Sequence, residues 1–294
     1  MGSSLKILYR GPLSSCNYDC PYCPFGKHRE TSEELDFDRR CLERFVTWVS
    51  QHTERMFGVL FTPWGEALTR RWYQIAMTQL SRMKHVHRVA VQTNLSARLE
   101  WLEEADRESL ALWCTYHPGE VSRETFLSRC RQLDVMQIRY SVGVVGMKEH
   151  ADEIEALRQE LAVGVYLWIN AYKRVPDYYD DRMIAAFTKI DSLFPVNNQR
   201  HPSLGRACRT GESVISVDGD GAVRRCHFIK QELGNLYRDD LSEMLRPRCC
   251  TNETCGCHIG YVHMPHLEMD DHFGDNVLER IPKLYSLETQ SERS

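Results

Sequence analysis

By residue 170 the sequence has set out six short apolar runs with five stretches of helical periodicity between them. The apolar runs lie at 5–9 (L-K-I-L-Y), 58–62 (G-V-L-F-T), 88–92 (R-V-A-V-Q), 109–115, 137–145 and 163–169 (V-G-V-Y-L-W-I). Between them, helical patterns begin at Asp38, with Leu42, Phe45, Val46 and Val49 on one face, and occupy 69–83, 98–106, 122–133 and 150–161. Strands that are apolar on both faces and separated by helices build a parallel sheet covered by helices, because each parallel pairing needs a long crossover. The expected class is therefore α/β. With 294 residues and 42% hydrophobic content, the chain is long enough for one large core and a smaller appended module.

The stretch C-N-Y-D-C-P-Y-C, Cys16 to Cys23, follows the first strand and supplies three thiols in eight residues. Thiolates suit a soft metal, and a 4Fe-4S cube takes four ligands, so three cysteines leave one iron open to a ligand that is not protein. A structural zinc site is the alternative; it needs a fourth ligand, for which His28 stands near. Of the twelve cysteines, six more fall between 208 and 257, while Cys41, Cys114 and Cys130 sit in apolar patterns as small hydrophobes. A net charge of -4 gives no global field toward nucleic acid, and no basic stretch interleaved with aromatics appears. No apolar window is long enough to span a membrane, and Met1-Gly2-Ser3-Ser4 does not begin a signal peptide. A soluble, cytoplasmic protein without membrane or nucleic-acid partners is the expectation.

C-x3-C-x2-C after the first strand, with Tyr22 just before the last cysteine, resembles the radical S-adenosylmethionine (SAM) enzymes. The resemblance implies a partial (β/α)6 TIM-like barrel with its chemistry at the C-terminal ends of the strands. It implies that a cluster on Cys16, Cys20 and Cys23 reduces SAM to methionine and a 5'-deoxyadenosyl radical that takes hydrogen from a substrate. T-P-W-G-E, Thr62 to Glu66, is similar to the family's Gly-Gly-Glu motif with Trp64 for the first glycine, so Gly65 and Glu66 would meet the SAM ammonium. Thr93 and Asn94 in Q-T-N-L-S are similar to a T-N-G motif and would contact ribose or carboxylate, or cap the next segment. Val144 and Gly146, with Val142 and Glu149, match the latter part of G-x-I-x-G-x-x-E, which places Val144 on adenine and Tyr22 nearby. Thr115 and His117 end the fourth strand, and Asn170, Tyr172 and Lys173 the sixth; Thr115 and Asn170 join the cofactor-binding set.

A polar passage at 174–200 leads to the cysteine-rich part. Val214, Ile215 and Val217, then D-G-D-G and Val223, read as a β-hairpin. Cys208-x12-Gly221-x4-Cys226 across it resembles the SPASM and twitch extensions, which hold auxiliary iron-sulfur clusters. The expected second 4Fe-4S site uses Cys208 and Cys226 with two of Cys250, Cys255, Cys257 and Cys249, the choice among these four being open. A zinc ribbon, with His258 eligible, would use similar spacing. His263, His266, His272, Asp270 and Asp271 follow in a segment expected over the barrel mouth or on the surface. The division expected is a barrel at 1–195, a small cysteine-rich α+β twitch-like domain at 196–283 and a polar disordered tail at 284–294. The function implied is radical oxidation or modification of a peptide or a small molecule, with flavodoxin or ferredoxin as electron donor. The rival reading is a non-catalytic iron-sulfur or zinc protein, which would have no use for three thiols in place of four.

Overall fold

The structure, a computed structural model, describes residues 4–26 and 28–285. All six expected strands are present: β1 (Leu5–Arg10), β2 (Phe57–Phe61), β3 (Val86–Thr93), β4 (Leu110–Tyr116), β5 (Arg139–Val145) and β6 (Leu167–Asn170). They pair in parallel and in sequence order, and the connecting helices α1 (Ser32–Gln51), α2 (Arg71–Ser81), α3 (Arg123–Val135) and α4 (Ala151–Glu160) cover one face. After β6 come α5 (Asp181–Ile190) and α6 (Phe194–Asn197).

Three elements differ from the sequence expectation. Helix α1 starts at Ser32, not Asp38, because Thr31 and Glu34 form a reciprocal capping box that satisfies the first amide donors one and a half turns before the apolar stripe begins. The stretch expected as a helix at 98–106 is a 3-10 segment, Glu100–Glu104, too short to build a full α-helix. Strand β6 begins four residues late, since Val163 lies at the surface and is 85% exposed.

The cysteine-rich part adds short strands β7 (His201–Pro202) and β8 (Ala207–Cys208), then β9 (Val214–Asp218), β10 (Ala222–Arg224), β11 (Glu232–Asn235), β12 (Arg248–Cys249) and β13 (Thr254–Cys255). The expected hairpin exists as antiparallel β9 and β10, but β9 also pairs in parallel with β1. The sheet therefore runs on to nine strands, β11-β10-β9-β1-β2-β3-β4-β5-β6. An open six-strand barrel leaves the β1 edge unpaired, and β9 satisfies it.

The two faces of the sheet pack differently. Ile7, Tyr9, Val59, Phe61, Val89 and Leu112 lie in the core under the helices, whereas Leu8, Leu60, Ala90, Trp113 and Trp168 lie in a second core with Ile259, Val262, Met264 and Phe273. The segment expected over the mouth or on the surface thus fills the inner face, since alternate strand residues there are apolar and need cover. Buried Glu279 receives Arg88 and Arg139, each at 2.9 Å, and the Arg280 guanidinium lies 4.2 Å over the Trp168 ring. Residues 286–294, most of the expected polar tail, lie outside the described residues. Among the described residues no helix is long and apolar enough to cross a membrane.

Buried Asp38 on α1 ties this frame to the loop after β1: it accepts from the Leu13 amide (3.1 Å), the Trp72 indole (2.7 Å) and the Tyr73 hydroxyl (3.1 Å). Burial raises its pKa and the three donors oppose that rise. Asp38→Ala should destabilise the fold by about 3 kcal/mol, roughly 1 kcal/mol per donor left without an acceptor. Asp36→Ala, which loses only exposed pairs with Arg39 and Arg40, should leave the denaturation midpoint unchanged within error. Urea unfolding of both variants measures the contrast.

Candidate active site

The loop after β1 is fixed before its first cysteine. Glu30 accepts from the Ser14 amide and from the hydroxyls of Ser14 and Ser15, and Arg70 donates to the Ser15 hydroxyl at 2.7 Å. On its other side the loop runs along the end of β2: the Trp64 amide bonds to the Leu13 carbonyl at 3.1 Å and the Glu66 amide to the Ser15 carbonyl at 3.0 Å. Gly65 is required there, because a Cβ would lie 1.9 Å from the Ser15 carbonyl oxygen. Gly26, at φ +75°, closes the far end, where a Cβ would lie 2.8 Å from Cys16 Cβ.

This seam brings Cys16, Cys20 and Cys23 into one cavity with Gly65, Glu66, Thr93, Asn94 and Thr115. Each thiol has polar neighbours. The Tyr18 amide lies 3.4 Å from Cys16 Sγ, the Phe25 amide 3.4 Å from Cys23 Sγ, and His117 Nδ1 3.3 Å from Cys20 Sγ. Amides aimed at sulfur are the contacts that favour thiolate ligands and tune a cluster. Burial raises the Cys16 thiol and pushes Cys20 up to about 12. Among the described residues no group of three or more His, Cys, Asp or Glu side chains stands ready for a single metal ion, the histidines and aspartates at 263–272 included.

Glu66 is wholly enclosed. Its carboxylate accepts from the Thr93 hydroxyl (2.7 Å), the Asn94 amide (2.6 Å) and the Leu68 amide (3.1 Å), so it braces the ends of β2 and β3; burial raises its pKa, and these three donors oppose the rise. Among the described residues no lysine or arginine lines the cavity. His117, pushed down to about 4 by burial, is neutral, which leaves a carboxylate, three thiols and the Tyr18 phenol as the ionisable wall. Such a wall suits a cationic ligand beside a thiolate-bound cluster.

Four of the residues singled out in the sequence stand apart from these. Tyr22 turns its hydroxyl to His117 Nδ1 at 2.9 Å and its ring stacks on the imidazole. Val144 is fully buried in the core under the helices, because even-numbered residues of β5 face that way, so its side chain does not reach the cavity. Gly146 donates its amide to the Asn170 carbonyl and its own carbonyl accepts from Tyr179 at 2.6 Å, while Asn170 is exposed at the end of β6. Sequence reasoning missed Tyr18, Phe25 and Gln92 in the cavity wall, and the Glu30-Arg70 clamp, which no local pattern announces.

A second cavity, of about 330 Å³, is lined by Cys208, Cys226, Cys250, Cys255 and Cys257, with Lys173 and Arg200 beside them. Buried Arg225 positions this set by donating to the carbonyls of Arg248 and Cys249 and to Thr210. Gly260 leaves room for Cys255, whose Sγ would lie 2.8 Å from a Cβ there. Cys257 faces the cavity, open to solvent yet surrounded by protein, and burial raises its pKa against the nearby Lys173, Arg10 and Arg280. Burial pushes Cys226 up to about 11 and Cys255 up to about 12. Cys249 is exposed and does not line the cavity.

No family model matches the chain, and no curated protein matches it. Solved structures do. Hexahistidine-tagged anSMEcpe with bound AdoMet superposes with a TM-score of 0.57 at 14% identity, covering 88% of this chain and 80% of that one. Native anSMEcpe with bound AdoMet and Cp18Cys peptide gives 0.53 at 14% identity over 82% and 80%. The chain shares the fold of these structures, in keeping with the partial (β/α)6 barrel that the sequence led us to expect.

Gly65→Ala should keep the helical circular dichroism of the wild type yet take up less iron on reconstitution, because its methyl group must push the cysteine loop away from β2. Gly164→Ala, which meets nothing within 4 Å, should match the wild type in both.

Proposed function

We propose that this chain is a radical SAM enzyme, with a 4Fe-4S cluster on Cys16, Cys20 and Cys23 and SAM at its open iron. The observation that carries the reading is the cavity in which those three thiols meet Glu66, Thr93 and Asn94, with no lysine or arginine among the described residues of its wall. When bound, the cluster and SAM supply one-electron cleavage of SAM and hydrogen-atom abstraction from an unreactive carbon. The chain's own part is to orient and to exclude water. Glu66, held rigid by Thr93 and Asn94, faces the SAM ammonium with a fixed negative charge, while Gly65 and Thr115 let the cofactor approach. Tyr22, the backbone of Val144 and Asn170 would meet the adenosine end beyond that cavity. Phe25 and Trp64, whose rings meet at 4.1 Å, close the outer side.

The five-thiol cavity is proposed as the auxiliary 4Fe-4S site in a domain spanning 196–283. Cys208 and Cys226 approach it from the two sides of the hairpin, and Cys250, Cys255 and Cys257 from the last loop. Lys173 and Arg200 would offset the charge of thiolates there. Burial lowers Lys173 to about 8, a value at which it is still largely protonated at neutral pH. A peptide is the favoured substrate, supported by the peptide complex of anSMEcpe. Electrons would come from a flavodoxin or ferredoxin in a reducing cytoplasm, where twelve free thiols stay reduced.

Two measurements test this. Anaerobically reconstituted, reduced wild-type protein should convert SAM to 5'-deoxyadenosine, and Cys16→Ala, Cys20→Ala or Cys23→Ala should abolish it; a wild type at blank level would sink the reading. The Cys16/Cys20/Cys23 triple Ala variant should retain roughly four irons per chain, those of one cuboidal cluster. A colourless triple variant with one zinc and no iron would leave only a structural ribbon.

A further inference from the structure

A third cavity, a groove of about 680 Å³, neighbours both thiol cavities: it shares Trp64 with the first, and a single run of chain walls it off from the second. Trp64 lines the groove and also the cavity of Cys16, Cys20 and Cys23. On the opposite side the run Cys226-His227-Phe228-Ile229-Lys230 alternates: Cys226 and Phe228 line the five-thiol cavity, while His227, Ile229 and Lys230 line the groove. His227 Nε2 lies 3.0 Å from Thr62 Oγ1, which ties this partition to the end of β2 two residues before Trp64. A volume of this size holds a small-molecule ligand or a few residues of a peptide.

The charges in the groove are unequally matched. Arg224 is fully employed by Asp218 and Glu232. Arg10 is not. Its Nε donates to the Thr62 carbonyl at 2.8 Å and its guanidinium lies 4.4 Å over the Trp64 ring, so its position is fixed. Yet among the described residues its two terminal nitrogens have neither a hydrogen-bond acceptor nor an ion-pair partner; Asp218 and Cys257 act on it only at a distance. Burial lowers Arg10 to about 10, so it stays cationic at neutral pH. A largely enclosed, immobilised guanidinium with a free donor edge is arranged for a planar anion, which it binds through paired hydrogen bonds. Exposed Lys230 and exposed Asp220 line the same groove and offset one another in charge, which leaves Arg10 as its excess cation.

We propose that this groove is the substrate site and that Arg10 receives a carboxylate of the substrate there. The proposal rests on the enzymatic reading above. A substrate held by Arg10 lies against Trp64 on the side of the three-cysteine cavity and against the 226–230 run on the side of the five-thiol cavity. One bound molecule is thereby in contact with the walls of both the cavity proposed for SAM and the cavity proposed for the second cluster.

The test uses anaerobically reconstituted full-length protein with SAM present. N-acetylglycine, its amide and inorganic phosphate are titrated in turn by calorimetry, and the rate at which phenylglyoxal modifies Arg10 is followed by peptide mass mapping. N-acetylglycine should slow Arg10 modification, the amide should not, and Arg10→Gln should bind N-acetylglycine roughly tenfold more weakly, the loss of one charge-assisted interaction. A peptide ending in a free carboxylate that binds more tightly than N-acetylglycine would identify a peptide as its source, and equal binding a small acid. Modification of Arg10 unaffected by N-acetylglycine, equal protection by the amide, or protection by phosphate alone would overturn the proposal. So would loss of SAM affinity in Arg10→Gln, which would give Arg10 to the SAM carboxylate. Because the protection readout is made on wild-type protein, a variant that misfolds does not shield the proposal. Failure of wild-type protein to cleave SAM would instead strike the enzymatic reading, whatever Arg10 binds.

Discussion

The backbone seam between Leu13–Ser15 and Trp64–Glu66 is the contact on which the rest of the site depends. Two amide-to-carbonyl bonds extend the β1-β2 ladder past the ends of both strands, and they form only because Gly65 lets Ser15 come within van der Waals contact of the β2 loop. Through the seam, one rigid strand positions the cysteine loop and the next positions Glu66. The two are held in a single frame rather than on two independent loops, which is what a site built to tight tolerance needs. Asp38 and Glu30 reinforce the frame from α1 and from the end of the loop itself. Neither lines the cavity, and both take acceptor positions that water would otherwise fill.

The sheet is used on both faces and at its edge. One face carries the helices; the other is covered by the segment 259–280, which packs beside Cys255 and brings buried Arg280 over Trp168. At the edge, β9 joins β1 in parallel, and this pairing swings Cys226 and the 226–230 run around to face the end of β2. The result is three neighbouring cavities with contrasting walls: one with three thiols and a carboxylate, a groove with a spare guanidinium, and one with five thiols beside a lysine and an arginine. Opposite charges are thus kept apart by a few residues of chain, in an interior where they are weakly screened.

Much of this was legible in the sequence. The six apolar runs determined the parallel sheet and its order, because strands apolar on both faces have no other stable setting. The spacing of Cys16, Cys20 and Cys23 behind β1, and of Thr62–Glu66 and Thr93–Asn94 behind β2 and β3, put those residues at one end of the sheet as soon as the strands were parallel. The hairpin between Cys208 and Cys226 was equally local, since Gly221, at φ +86°, marks its turn. Tertiary structure decided what depends on contacts between residues far apart in sequence. Nothing near β9 says that it will cover the β1 edge, nor near Ile259 and Phe273 that they will fill the inner face. The even positions of β5 turned Val144 into the core, a parity that the motif alone does not reveal. Glu66 meets Thr93 and Asn94, and Arg10 is left without a carboxylate among the described residues, for the same reason: charge pairing inside a fold is set by which surfaces meet, and sequence specifies the surfaces long before it shows the meeting.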